Sequence, residues 1–96
     1  MSSVYVLFQL QVDDPEGYRE YAAFDHAGLL AKFGGRFVGA DAAPEVLEGQ
    51  WPQQVALVEF PSREQARAWY ESDEYRPALE VRERTATSTV IFISGK

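Results

Sequence analysis

Cysteine is absent from this chain of 96 residues, and histidine occurs once, at His26. The absence of cysteine excludes disulfides, thiol catalysis and thiolate metal sites. A lone histidine is also too little for zinc, which takes three or four protein ligands. Lys and Arg total 9 against 15 Asp and Glu, a net charge of −6. Because an acidic chain without a basic stripe repels phosphate groups, this composition argues against nucleic acid and anionic membranes as partners.

Long apolar runs and the commonest catalytic motifs are missing as well. No stretch approaches the roughly 20 apolar residues of a membrane-spanning helix. The first dozen residues lack a basic start and alternate in polarity, so they predict a strand and not a signal peptide. GxGxxG, P-loop, HExxH and GxSxG patterns are absent. We therefore expect a cytoplasmic protein with no metal and no cofactor.

The chain is rich in apolar residues for its length. Its size predicts one domain, residues 1–96. Yet 46% of the residues are hydrophobic and 14% are aromatic. Because a small domain can bury only part of its surface, association with a second copy would use this surplus.

Strands are predicted at residues 4–12, 36–40, 55–60 and 87–94. In the first, Val4, Val6 and Phe8 alternate with a mixed set of residues that includes Leu7 and Gln9, which is the period-two pattern of a strand. A short extra strand is expected at residues 45–48. The following loop carries Trp51, which we expect to be exposed and to suit an interface.

Helix starts are marked by two capping signals. The segment Asp13-Asp14-Pro15-Glu16 predicts the start of a helix that runs on to the glycines at 34 and 35. Asp25 would lie on the apolar stripe of this helix, with His26 next to it. Ser62, with Gln65 three residues later, predicts a second helix through a capping box. A break at residues 72–73 then leads into a further helical segment carrying Tyr75 and Arg82.

The predicted order β-α-β-β-α-β is that of an α+β, ferredoxin-like fold with a four-stranded antiparallel sheet and helices on one face. The other face would hold Leu7, Val55 and Leu57. Because such a face is too apolar for water, we expect a homodimer formed through this open sheet face.

Aromatic residues predict a pocket between helices and sheet. Such pockets are mostly apolar, with a few polar groups that orient the ligand. The candidate binding residues are Tyr18, His26, Trp69, Tyr75 and Arg82. His26 can act as a general base or be an ordinary helix residue, and the aromatics can equally serve packing alone. No catalytic residue is assigned.

Polar residues on the open sheet face form a second candidate group. Glu59 would be partly buried there, with Arg36, Gln9 or Gln11 as its partner. Without a cation the pKa of this carboxyl would rise, and Glu59 could act as an acid or base. With a cation beside it, Glu59 would form an ion pair that fixes the register of the interface.

Four motifs occur in order: GGRF at 34–37, LEGQW at 47–51, EFPS at 59–62 and AWYES at 68–72. Together they resemble the domain of unknown function 1330 family, over nearly the whole chain. The resemblance implies membership of the dimeric α+β barrel superfamily, whose members include cofactor-independent monooxygenases, lactone isomerases and small-molecule sensors with a ligand cleft between helices and sheet. It brings no established activity, and His26 lies outside these motifs.

Two hypotheses about the function follow. In the first, a homodimer binds or transforms a small aromatic or lactone-like metabolite in a helix–sheet cleft. In the second, the protein is a non-enzymatic structural or interaction module, or regulates another enzyme, and its motifs serve folding and dimerisation.

Overall fold

The computed structural model describes residues 3–96. Within them, one antiparallel sheet has the strand order β2-β3-β1-β4. Its strands are β1 (Val4–Val12), β2 (Arg36–Asp41), β3 (Gln54–Phe60) and β4 (Ala86–Ser94). The helices are α1 (Pro15–Ala22), α2 (His26–Lys32), α3 (Arg63–Tyr70) and α4 (Arg76–Thr85). None of the helices in the described part is long and apolar enough to cross a membrane.

Strand β1 pairs along both of its edges, with β3 on one side and β4 on the other. Because side chains alternate along a strand, Val4, Val6, Phe8 and Leu10 all point under the helices, where they are buried. Val58 and Phe60 on β3 join the same buried layer. The predicted alternation and its core face are therefore confirmed.

The predicted helix starts are confirmed by their caps. The Asp14 side chain accepts a hydrogen bond from the Gly17 N–H at 3.1 Å, with proline in the first turn. The Ser62 hydroxyl accepts from the Gln65 N–H at 3.1 Å. These bonds satisfy N–H groups that a helix cannot pair internally. At the predicted break, the Ser72 hydroxyl accepts from the Tyr75 N–H at 3.1 Å, and α4 begins one residue later.

The prediction of one continuous helix up to residue 34 is wrong. The chain forms α1 and α2, with a break at residues 23–25. Asp25, expected on the buried stripe, is exposed and caps α2, because its side chain accepts from the Gly28 N–H at 3.0 Å. His26 is consequently the first residue of α2. The predicted helix end is confirmed, since Gly34 has a left-handed φ of 84°.

Residues 45–48 do not form the predicted extra strand but lie in the loop between β2 and β3. A strand needs a neighbour for its backbone groups, and this segment pairs with none of the described strands. Leu47 is 87% exposed. Trp51, expected to be exposed, is half-buried, and its indole N–H donates to the Gln54 carbonyl at 3.3 Å.

The turn between α2 and β2 yields a test of the packing. A Cβ at buried Gly35 would lie 2.5 Å from a ring carbon of Phe60, which has no exposed surface and cannot move aside. We expect Gly35→Ala to lower the free energy of unfolding by about 1–3 kcal/mol, the usual cost of overpacking. Chemical denaturation measures this change.

Gly39→Ala is the matched control, because a Cβ there meets nothing within 4 Å. Its free energy of unfolding should stay within about 0.5 kcal/mol of the wild-type value. Equal stability of Gly35→Ala and the wild type would show that α2 and the sheet pack less closely than the structure has them.

Candidate functional site

A cleft of about 410 Å³ opens between the helix layer and the sheet, toward β2. Its floor is formed by β1 and β3, and its opposite wall by α1, α2 and one residue of α3. The walls are mainly apolar, and the rings that face the cleft are Phe8, Tyr18, Tyr21, His26, Phe37 and Trp69. Asp41, at the end of β2, lies at the rim and is exposed. The cleft therefore combines aromatic walls with a few polar groups.

His26 enters the cleft because the capped start of α2 places it there. Its Nε2 lies 2.7 Å from the Tyr21 carbonyl oxygen. A carbonyl only accepts, so Nε2 carries the proton and donates. In the neutral ring, Nδ1 is then the nitrogen that can accept a hydrogen bond or a proton. The imidazole also stacks against the Tyr21 ring, with 4.4 Å between centroids, which fixes its orientation.

Two tyrosine hydroxyls meet behind the helix wall. The hydroxyl groups of Tyr21 and Tyr75 are 2.8 Å apart and buried. Burial, with Tyr75 as a further cause, raises the pKa of Tyr21 far above its ordinary value. Burial likewise raises the pKa of Tyr18, against an opposing effect of Arg82. The phenols of Tyr18 and Tyr21, which line the cleft, are therefore neutral near pH 7 and act as hydrogen-bonding groups, not as bases.

Arg82 is a buried cation, with only 2% of the residue exposed. Its Nη1 donates to the Ser88 hydroxyl at 2.7 Å, and its guanidinium carbon lies 5.6 Å from the centroid of the Phe8 ring. Nε and Nη2 are buried and make no hydrogen bond of normal length and angle within the described residues, although the hydroxyls of Tyr75 and Tyr70 lie near the guanidinium. Burial lowers the pKa of Arg82, but Tyr75, Tyr21 and the Tyr70 hydroxyl outweigh that effect, so the pKa of Arg82 stays above its usual value. None of the salt bridges within residues 3–96 involves Arg82.

Glu59 and Arg36 lie side by side on the opposite sheet face, as the β2–β3 register requires. Arg36 donates to one carboxylate oxygen through Nε at 3.0 Å and Nη2 at 2.6 Å. Hydrogen bonds from Ser3 and then Arg36 hold the pKa of Glu59 below its usual value. Of the two alternatives for Glu59, this arrangement favours the ion pair over the acid or base. Gln9 is no partner, since it lies four positions along β1 from Tyr5, the residue opposite Glu59, or about 13 Å away.

The structure brings some of the candidate residues together and separates others. Tyr18, His26 and Trp69 line the cleft, whereas Tyr75 and Arg82 lie behind its wall and do not line it. Tyr21 also lines the cleft, and no sequence pattern signals its hydrogen bond to Tyr75. Phe37 and Asp41 are lining residues outside the predicted set, and their position on β2 opposite β3 follows from strand pairing. Residues 3–96 contain no cluster of three or more acidic or histidine side chains that could hold a metal ion.

These features define a ferredoxin-like α+β protein with the predicted four-stranded antiparallel sheet and with helices on one face. The family model "Domain of unknown function (DUF1330)" matches residues 3–96. The chain belongs to this family, which confirms the resemblance inferred from its motifs. Comparison with curated proteins gave no significant match.

Solved structures share the fold at low sequence identity. A Rhodopseudomonas palustris protein of unknown function is 20% identical, with a TM-score of 0.75 over 96% of this chain and 81% of that one. SnoaB, a cofactor-independent oxygenase from Streptomyces nogalater, is 16% identical, with a TM-score of 0.67 over 99% and 93%. A dimeric ferredoxin-like protein of unknown function from Thermobifida fusca is 11% identical, with a TM-score of 0.64 over 97% and 91%. At these identities the likeness shows the fold alone.

The unpaired state of Arg82 predicts its effect on stability. A buried donor without a partner costs about 1–3 kcal/mol, and an apolar replacement of similar shape removes that cost. We expect Arg82→Met to raise the free energy of unfolding by about 1 kcal/mol, since methionine fills most of the space. Thermal and urea unfolding measure the change.

Arg84→Met is the matched control on the same helix. Arg84 is exposed and pairs with Glu20 at 3.3 Å, an interaction worth little in water. Its replacement should change stability by less than about 0.5 kcal/mol. A loss of more than about 2 kcal/mol in Arg82→Met would show that the fold itself needs the guanidinium.

Proposed function

We propose that this protein is a homodimer that binds a small aromatic or lactone-like metabolite in the cleft between helices and sheet. The observation that carries the proposal is the cleft itself. Its volume of about 410 Å³ lies within the range of small-molecule sites, which are concave, mostly apolar and provided with a few polar groups. A packed core would leave no space there.

The chemistry of the walls supports a ring-shaped ligand. Phe8, Phe37 and Trp69 offer faces and edges against which a flat ring packs favourably. The Tyr18 hydroxyl and the Nδ1 atom of His26 are the polar groups that can orient it. Histidine is also the side-chain type that exchanges protons near neutral pH, so His26 is the candidate base if the ligand is transformed. SnoaB, with the same fold, is an oxygenase, which fits ring chemistry in such a cleft.

A neutral two-ring probe, 2-naphthamide, tests the cleft. At about 0.3 kcal/mol for each of its 13 heavy atoms, a probe that fits should bind with a Kd of about 1 mM or tighter. Saturation-transfer NMR and calorimetry detect such binding. Ala40→Trp, which fills the cleft from an exposed position of β2, should abolish it.

Val38→Trp is the control, since Val38 is on the same strand, is exposed and does not line the cleft. It should bind the probe as the wild type does. If neither 2-naphthamide nor a library of ring metabolites binds the wild type, the proposal fails. The alternative of a structural or interaction module would then hold.

The second part of the proposal concerns the sheet face away from the helices. Ile91 and Ile93 are 45% and 40% exposed there, beside half-buried Leu7 and Leu57. A contiguous apolar face of this kind is typical of an interface, and the Thermobifida fusca protein with this fold is dimeric. We therefore assign the face to a second copy of the chain, with the Arg36–Glu59 pair at its edge.

Light scattering coupled to size exclusion tests the dimer. The wild type should have twice the mass of the chain, and Ile91→Glu should be monomeric because it buries an unpaired charge in the interface. Leu47→Glu is the control, since Leu47 is more exposed but lies in the β2–β3 loop. A monomeric wild type, or a dimer disrupted by Leu47→Glu and not by Ile91→Glu, would contradict the assignment.

A further inference from the structure

The buried charge of Arg82 lacks a counter-charge inside the described fold. The chain carries 15 acidic residues, yet no carboxylate within residues 3–96 forms a salt bridge with this guanidinium. Two of its nitrogens make no hydrogen bond of normal length and angle, and the Tyr75 and Tyr70 hydroxyls near the guanidinium supply no negative charge near pH 7. A buried cation without compensation is unfavourable, and packing alone would be served as well by an apolar side chain. An anion from outside the chain would supply what is missing.

Arg82 lies one side chain behind the cleft. Its guanidinium is 5.6 Å from the centroid of Phe8, and Phe8 forms part of the cleft floor. Tyr21 also lines the cleft, and its hydroxyl is 2.8 Å from that of Tyr75, a close neighbour of Arg82. The opposing effect of Arg82 on the pKa values of Tyr18 and Tyr21 agrees with a field that reaches the cleft's hydroxyls.

We infer that the ligand of the cleft carries an anionic oxygen on its ring system, such as a carboxylate, phenolate or enolate. The Tyr21–Tyr75 pair would transmit the positive charge of Arg82, because a hydroxyl polarised by a cation donates a stronger hydrogen bond. Arg82 is then a positioning residue that acts through the tyrosines. This inference rests on the function proposed above and adds the charge of the ligand to it.

The opposite preference, for a cation, has three arguments in its favour. Aromatic faces attract cations, and both the net charge of −6 and Asp41 at the rim favour them too. Asp41, however, is exposed, so water and salt screen it. The Arg82 charge lies in a low-dielectric interior, where screening is weak. The buried charge therefore decides the preference of the inner cleft.

Three probes of one shape and different charge separate these possibilities: 2-naphthoate, 2-naphthamide and 2-naphthylmethylammonium. Their affinities for the wild-type protein are measured by calorimetry at neutral pH. We expect 2-naphthoate to bind about tenfold tighter than 2-naphthamide, and the ammonium probe to bind weakest. A carboxylate loses more hydration than an amide on entering an apolar site, so this order requires a positive charge nearby.

Variants of Arg82 identify the source of that charge. Arg82→Met should reduce the ratio of the naphthoate and naphthamide affinities from about ten to about one or below, and Arg82→Lys should restore part of it. A general loss of packing would weaken both probes equally and leave the ratio unchanged. The ratio in the wild type is informative even if a variant fails to fold.

The outcomes distinguish this inference from the proposed function on which it rests. If 2-naphthamide or the ammonium probe binds as tightly as 2-naphthoate, and Ala40→Trp blocks them, the cleft is a ligand site and the inference is wrong. If 2-naphthoate binds but Ala40→Trp has no effect, the anion site lies elsewhere and the inference is also wrong. If no probe binds, the proposed cleft function fails and the inference with it.

Discussion

The pairing of β1 along both of its edges is the constraint on which the rest of the structure depends. With β3 on one side and β4 on the other, every second side chain of β1 must face the helices. Val4 and Val6 are thereby committed to the core, while Tyr5 and Leu7 are committed to the opposite face. A slip of one residue would exchange the two sets. The same register places Phe8 beneath the helices, where it forms both the cleft floor and the surface beside Arg82.

Helices cover this core in a way that leaves the cleft open. Because α1 and α2 are separate, His26 begins a helix of its own and turns its ring toward Tyr21. A single continuous helix would have carried the same residue past the cleft with a different orientation. On the far side, Tyr75 is fully buried and links the start of α4 to α1 through one hydrogen bond. The hydroxyls of Tyr21 and Tyr75 and the charge of Arg82 thus lie behind the wall of the apolar cleft.

The sequence predicts most of the backbone, because its signals there are local. Period-two alternation locates the strands, and the caps at Asp14 and Ser62 locate two helix starts. The break before His26 has no unambiguous local signal, since Asp25 fits a helical stripe as well as a cap. The pair formed by Arg36 and Glu59 was one of several possibilities until strand register placed the two side chains opposite each other.

The site is less predictable, because the burial and the contacts of its side chains depend on tertiary packing. Helical spacing puts Tyr75 and Arg82 on the inner side of α4. It does not say whether they line the cleft or lie behind it. The burial of Arg82 without a carboxylate likewise has no local pattern. Only the three-dimensional arrangement shows that Arg82 is buried without a salt bridge within residues 3–96.

A crystal structure of the protein with bound 2-naphthoate tests the central claim most directly. The account predicts that the rings lie in the cleft against Phe8 and Trp69, with the carboxylate toward Tyr21 and the buried Arg82. Rings in the cleft with the carboxylate turned outward toward Asp41 and solvent, or density only outside the cleft, would contradict it.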